Sequence, residues 1–135
     1  MNTLLLVGLL ASASVLLSLL LLTKRRFLQR RTPVELSTIF QSDLKGTSMD
    51  YETFRRVYEA VGQSYSLDPR LIRPSDSFKD FAAFDSFVLW KGKETMEKWL
   101  DDNFVFPKSE QRAAARQVNT VNDLLRLVQQ LDPKR

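Results

Sequence analysis

The chain of 135 residues contains neither cysteine nor histidine. Without cysteine there is no disulfide, no thiol nucleophile and no thiolate metal site, and without histidine the commonest general base and metal ligand are missing. Catalysis by paired carboxylates would remain, but no such pair stands out in the sequence. The composition therefore points to a carrier, binder or scaffold and away from an enzyme. Positive charge is also scarcer than the total suggests. The formal net charge is +4, yet Lys24, Arg25, Arg26, Arg30 and Arg31 sit in one short stretch. Removing these five leaves 15 basic residues against 16 acidic ones, a net charge of −1. The remainder of the chain is nearly neutral, which gives no indication of nucleic-acid binding.

What is abundant is leucine, concentrated at the start. Leu4 to Leu22 is nineteen residues without a charge, and at about 1.5 Å per residue such a helix nearly spans a hydrocarbon core of about 30 Å. Ser12, Ser14 and Ser18 fit, because a helical serine can bond back to a carbonyl of the preceding turn. A cleaved signal peptide would carry basic residues ahead of a shorter apolar run. Here Met1-Asn2-Thr3 has none and all the basic residues follow, so the expectation is a retained single-pass anchor. Because Lys and Arg favour the cytoplasmic side, the expected topology is a cell (inner) membrane protein with its N-terminus outside and its C-terminal domain in the cytoplasm. Lys24, Arg25, Arg26, Arg30 and Arg31 form the candidate membrane-surface set. They could attract anionic lipid headgroups, although fixing topology would be role enough for them.

The chain divides into an anchor (1–23), a basic juxtamembrane segment and tether (24–48), a helical domain (49–131) and a tail (132–135). Thr32-Pro33 discourages further helix, Val34 to Gln41 could form a short amphipathic turn, and 32–48 reads as having little intrinsic structure. Met49 to Ser64 reads as a helix capped by Ser48 or Asp50, with Phe54, Val57, Tyr58, Val61 and Tyr65 on one face. Leu71 and Ile72 are core candidates. Ser77 to Phe84 reads as an aromatic-rich connector. Asp85-Ser86 then resembles a helix start, since both side chains accept hydrogen bonds from unpaired backbone N–H groups. The helix expected from Ser86 to Asp101 carries Phe87, Leu89, Trp90, Met96, Trp99 and Leu100, with Lys91-Gly92-Lys93 interrupting the pattern. Phe104 to Pro107 reads as an apolar exit, and 108–116 has helix propensity without a clear buried face. Asn119-Thr120 caps a helix to Leu131 that buries Val121, Leu124, Leu125, Val128 and Leu131. No run alternates as a strand and no repeat is visible. The expected class is all-α.

From about Phe54 to Leu131 the chain resembles the acyl carrier protein family. The resemblance rests on the spacing of Val57 to Ile72 with its glycine at Gly62, on Asp76-Ser77-Phe78, Asp80 and Asp85-Ser86-Phe87 in the order of the family's connector and Asp-Ser-Leu motif, and on Thr120-Val121-Asn122-Asp123-Leu124-Leu125 at the start of the final helix. It implies a phosphopantetheine-binding four-helix bundle, here following the transmembrane helix read from the apolar run. It further implies that Ser86 carries 4′-phosphopantetheine as a phosphoprotein linkage, with Asp85 in support. The arm's thiol would hold an acyl thioester for lipid metabolism, in the service of a membrane-associated lipid- or envelope-modifying enzyme. The implied partners are a phosphopantetheinyl transferase, acyl-loading and acyl-accepting enzymes, and membrane lipids. The chain departs from the family in Phe84 and Phe87 around the motif, in Trp90 and Trp99, and in a charge-balanced second helix where an acidic one is usual. These departures keep open an unmodified adaptor or accessory subunit of a membrane complex, docking a partner through Phe87, Val88 and Trp90.

Overall fold

The computed structural model describes residues 2–85, 91–106 and 109–134, with only the backbone of residues 20 and 83–85. The chain is mostly helical. Among the described residues there are seven α-helices: α1 (Thr3–Gln29), α2 (Leu36–Asp43), α3 (Tyr51–Tyr65), α4 (Phe78–Asp85), α5 (Lys91–Asn103), α6 (Ser109–Arg116) and α7 (Val121–Gln130). A 3₁₀ turn at Pro69–Leu71 and two short strands, β1 (Phe104–Val105) and β2 (Asp132–Pro133), complete the order. Helices α3, α5 and α7 overlap the segments where the hydrophobic pattern predicts helices, and α6 lies in the segment that has helix propensity without a clear buried face.

The core is built on α3. Its Phe54, Val57, Tyr58 and Val61 are fully buried, as the spacing of three and four requires. Asp50 starts the helix by accepting from the Thr53 backbone N–H at 3.1 Å. Ser66, left-handed at φ 55°, ends it, and the Leu67 N–H donates back to the Gly62 carbonyl at 2.8 Å. Helix α7 lays Val121, Leu124, Leu125 and Val128 into the same core. It opens on a reciprocal cap: the Thr120 hydroxyl accepts from the Asp123 N–H while the Asp123 carboxylate accepts from the Thr120 and Asn119 N–H groups, each at 3.1 Å. Helix α5 contributes Met96 and Leu100, and Ile72 is fully buried while Leu71 is half-exposed.

These caps make the fold acid-sensitive. The carboxyl of Asp50 is held below its ordinary 3.8 by the Thr53 side chain, that of Asp68 by the Arg70 guanidinium, and that of Asp123 by the Asn119 backbone N–H. A carboxylate whose folded pKa is depressed stabilises the fold fully above its unfolded value and loses that contribution as the pH falls through the folded one. The melting temperature is therefore expected to be flat from pH 7 to about 5 and to fall below about pH 4, the onset moving when Asp123→Asn is introduced. A melting curve unchanged down to pH 3 would show that these caps carry no stability.

The Tyr58 hydroxyl is buried and finds no hydrogen-bond partner among the described residues. Its proton is held tightly because burial disfavours the phenolate. Leaving a buried polar group unsatisfied costs on the order of 1–3 kcal/mol. Tyr58→Phe keeps the ring and removes that cost, so the variant is expected to be more stable by about 1 kcal/mol in denaturant unfolding. A loss of stability would reveal a partner for the hydroxyl.

Several expectations are corrected. Residues 32–48 contain a helix, α2, whose Ile39 is 2% exposed and whose Phe40 ring meets Tyr51 and Phe54 at centroid distances of 5.6 and 5.3 Å. The segment is part of the core because one apolar turn is enough to cover the open start of α3. The aromatic connector is the helix α4: Phe78 and Phe81 lie three residues apart on one face, and both rings pack against Tyr65. Asp85 is the last described residue of α4, and the expected helix start at Ser86 lies outside the described residues. Lys91 to Lys93 are helical, as the first described residues of α5, and Gly92 is buried. The two strands were also unforeseen: β1 pairs antiparallel with β2, Phe104 opposite Pro133. The tail is thereby fastened, and Lys134 adds a backbone bond to the Asn103 carbonyl at 2.8 Å.

Helix α1 is long and apolar enough to cross a membrane. Its described leucines from Leu4 to Leu22 are exposed, Leu4 by 89%, and Ser12, Ser14 and Ser18 each donate to the carbonyl four residues back at 2.8 Å. The end of α1 is not free. Phe27 meets Phe81 edge-on at 6.0 Å, and α1 packs along α4.

Candidate functional site

The sequence directs attention to Asp85 and Ser86, with Phe87, Val88 and Trp90 beside them. Ser86, Phe87, Val88 and Trp90 lie outside the described residues, and of Asp85 the backbone alone is described, as the last described residue of α4. The site is therefore approached from its two flanks. α4 leads into it and α5 leads out of it, and the two helices pack against each other.

Between these flanks, α6 and α7 lies an open cleft of about 540 Å³, within the usual size of a small-molecule site. Its floor is apolar: Tyr65, Phe78, Met96, Leu100, Phe106 and Leu124. Its rim is charged. Lys79 stands on α4, Lys93, Glu97 and Asp101 on α5, and Arg112 and Arg116 on α6. Arg112 lies 4.8 Å above the Phe106 ring and 3.6 Å from Asp101, and Lys93 faces Glu97 at 4.0 Å. The lining includes Ala82, four residues before position 86, and Lys93, seven residues after it. An apolar floor under a charged rim suits an amphiphilic group whose apolar end is sheltered while its anionic end stays at the edge. Among the described residues no group of three or more carboxylates converges to hold a metal ion.

Comparison with family models, with curated proteins and with solved structures finds no match.

The basic cluster divides. Arg25, Arg26 and Arg30 are exposed, as a membrane-surface role requires. Lys24 reaches the Ser66 carbonyl at 3.2 Å. Arg31 leaves the set altogether. Its guanidinium grips the buried Asp76 carboxylate with both terminal nitrogens, at 2.5 and 2.6 Å, donates to the Leu71 carbonyl at 3.0 Å, and lies 4.0 Å over the Phe27 ring. Asp76 also accepts from the Arg73 N–H at 2.7 Å. The pair ties the end of the apolar helix to the loop from which both α4 and α7 are hung, since the Asp76 carbonyl accepts from the Val121 N–H at 3.0 Å. Nothing local in the sequence marks Arg31 apart from its four basic neighbours, and its partner lies 45 residues away. The cleft was equally hidden, because its lining is gathered from elements spread between Tyr65 and Leu124.

Proposed function

We propose that this protein is a membrane-anchored acyl-carrier-like protein with a four-helix carrier domain, modified on Ser86 with 4′-phosphopantetheine. In this reading α1 is a single-pass anchor in the cell (inner) membrane, its N-terminus outside and the domain in the cytoplasm. The observation that carries the reading is the open cleft between α4, α5, α6 and α7, lined on both chain flanks of Asp85-Ser86. Support also comes from α3 and α7 lying where the resemblance implies its first and last helices, from Gly62 pressed against the turn that closes α3, and from the capped start of α7 at Thr120. The exposed leucines of α1 with basic residues at its far end support the anchor and its orientation.

The residues present fit such a group. The apolar floor can shelter an acyl chain, and Lys79, Lys93, Arg112 and Arg116 supply a cationic rim for a phosphodiester. When bound, the arm supplies the thiol that this cysteine-free chain lacks. The chain's own part is to present the Ser86 hydroxyl to a phosphopantetheinyl transferase, with Asp85 in support, and to exclude water from the acyl chain. Anchoring keeps the carrier at high effective concentration beside membrane-associated acyl-loading and acyl-accepting enzymes without any new contact.

Co-expression with a broad-specificity phosphopantetheinyl transferase, followed by intact mass, is the test. The expected result is a gain of one phosphopantetheinyl group on the wild-type chain and none on Ser86→Ala. No gain on the wild-type chain would sink the modification. It would leave the second reading, an unmodified adaptor or accessory subunit docking a partner near Phe87, Val88 and Trp90. That reading is favoured by α5, whose exposed Lys91, Lys93 and Lys98 nearly balance Glu94, Glu97, Asp101 and Asp102 and so offer no acidic face to basic enzymes.

A further inference from the structure

We propose that the folded domain does not hang from its anchor but sits pole-on against an anionic bilayer, in one fixed pose. The proposal rests on α1 being a membrane anchor, and it does not depend on whether Ser86 is modified.

The first argument is one of length. The apolar run ends at Leu22, and α1 continues as helix to Gln29. At 1.5 Å per residue, Lys24 stands about 3 Å and Phe27 about 7.5 Å beyond the hydrocarbon edge. The headgroup layer on one side of a bilayer is about 5–8 Å deep. The domain is already in contact at these heights: Lys24 donates to the Ser66 carbonyl and Phe27 packs on Phe81. No spacer separates the domain from the lipid.

The second argument is one of direction. Contacts run from Arg31 with Asp76 to Phe27 with Phe81, so α4 travels back along α1 and its Asp85 end points toward the bilayer. Helix α3 also travels toward it, since its final turn meets Lys24. Helix α5 runs the other way: Arg56, near the start of α3, donates to Asn103 at 2.8 Å, which puts the end of α5 far from the lipid and its Lys91 end near it. The domain therefore has a membrane pole, at the ends of α3 and α4 and the start of α5, and a far pole, at the start of α3, the end of α5 and the paired strands β1 and β2.

The third argument is one of charge. The membrane pole carries Lys91 and Lys93, and Lys24, Arg25 and Arg26 follow on the apolar run. The far pole carries Asp50, Glu52, Asp101, Asp102 and Asp132 against Arg55, Arg56 and Lys134, a small acidic excess, with Glu94 and Glu97 between the poles. Asp101 and Asp102 occupy the last turn of α5, which has no basic residue. That is the end where the helix dipole disfavours carboxylates. The placement opposes the helix's own electrostatics and matches a domain whose positive end faces anionic headgroups and whose negative end is repelled by them.

The cysteine-free chain allows a direct test. Gln63→Cys near the membrane pole and Gln129→Cys near the far pole are both at exposed positions. Each full-length variant is labelled with one fluorophore and reconstituted into phosphatidylcholine vesicles containing phosphatidylglycerol and a lipid with a nitroxide headgroup, and flotation is recorded on the same sample. The expected result is that both variants float and that the Gln63 label is quenched severalfold more than the Gln129 label. Floating protein with equal quenching at both positions would overturn the fixed pose while leaving the anchor intact. Protein that does not float would overturn the anchor, and the pose with it.

Discussion

Arg31→Ala is expected to destabilise the domain by about 3 kcal/mol. Removing one partner of a buried ion pair costs roughly 3–5 kcal/mol because the other charge is left stranded. The Asp76 side chain is 5% exposed and that of Arg31 is 24% exposed, which puts the cost toward the lower end of that range. The bidentate grip, the Leu71 carbonyl and the face of Phe27 are all lost together. For a domain of this size the melting temperature in detergent should fall by roughly 15 °C. The double replacement Arg31→Met with Asp76→Leu separates the charge from the packing. Apolar groups of similar volume often replace a buried pair at little cost, so the double variant should recover most of the loss. A double variant as unstable as Arg31→Ala would mean that the geometry of the pair, and not its stranded charge, holds the end of α1. Lys24→Ala and Arg25→Ala, whose side chains are not buried with a carboxylate, should each change stability by less than about 0.5 kcal/mol.

Gly62→Ala is the second large effect, and its sign runs against helix propensity. In an open helix the exchange would gain about 1 kcal/mol. Here a Cβ would stand 2.6 Å from the Leu67 carbonyl oxygen and 3.0 Å from the Pro69 ring. That carbonyl belongs to backbone held in place by the Leu67 N–H donating to Gly62 itself, so it cannot retreat without undoing the end of α3. Overpacking of this kind costs roughly 1–3 kcal/mol. The expected net result is a loss of about 2 kcal/mol by denaturant unfolding with an unchanged m-value. A stabilised variant would show that the turn through Leu67 and Pro69 yields easily.

These two sites mark the boundary of what the sequence reveals. The face of α3 and the cap of α7 were legible because their signals are local: apolar residues three and four apart, and a threonine three residues before an aspartate. Gly62 was visible as a break in a helical pattern, but its reason lies in a turn that closes over it. Arg31 and Asp76 were both in view, yet nothing local ties residues 45 positions apart, and Arg31 looks like any member of a basic stretch. Helix α4 reads as a connector in the sequence because eight residues give a helical period only two turns in which to appear. The strands β1 and β2 are two residues each, too short for alternation to register. For the candidate site, the motif at Asp85-Ser86 was legible only through its resemblance, and Ser86, Phe87, Val88 and Trp90 fall outside the described residues. The cleft beside it could not be read at all, since the floor and rim come from five helices.

The continuity of α1 with the domain makes the helix a shaft. It stays helical from Thr3 to Gln29, and Phe27 and Arg31 key its end to the domain without slack. Each residue of an α-helix turns the chain by about 100° and advances it by about 1.5 Å. One residue inserted after Leu22 would leave every contact of Phe27 and Arg31 unchanged, yet rotate the whole domain by about 100° relative to the leucines below. The heading of the domain over the membrane is therefore encoded in which face of a nearly featureless leucine helix its neighbours choose to meet.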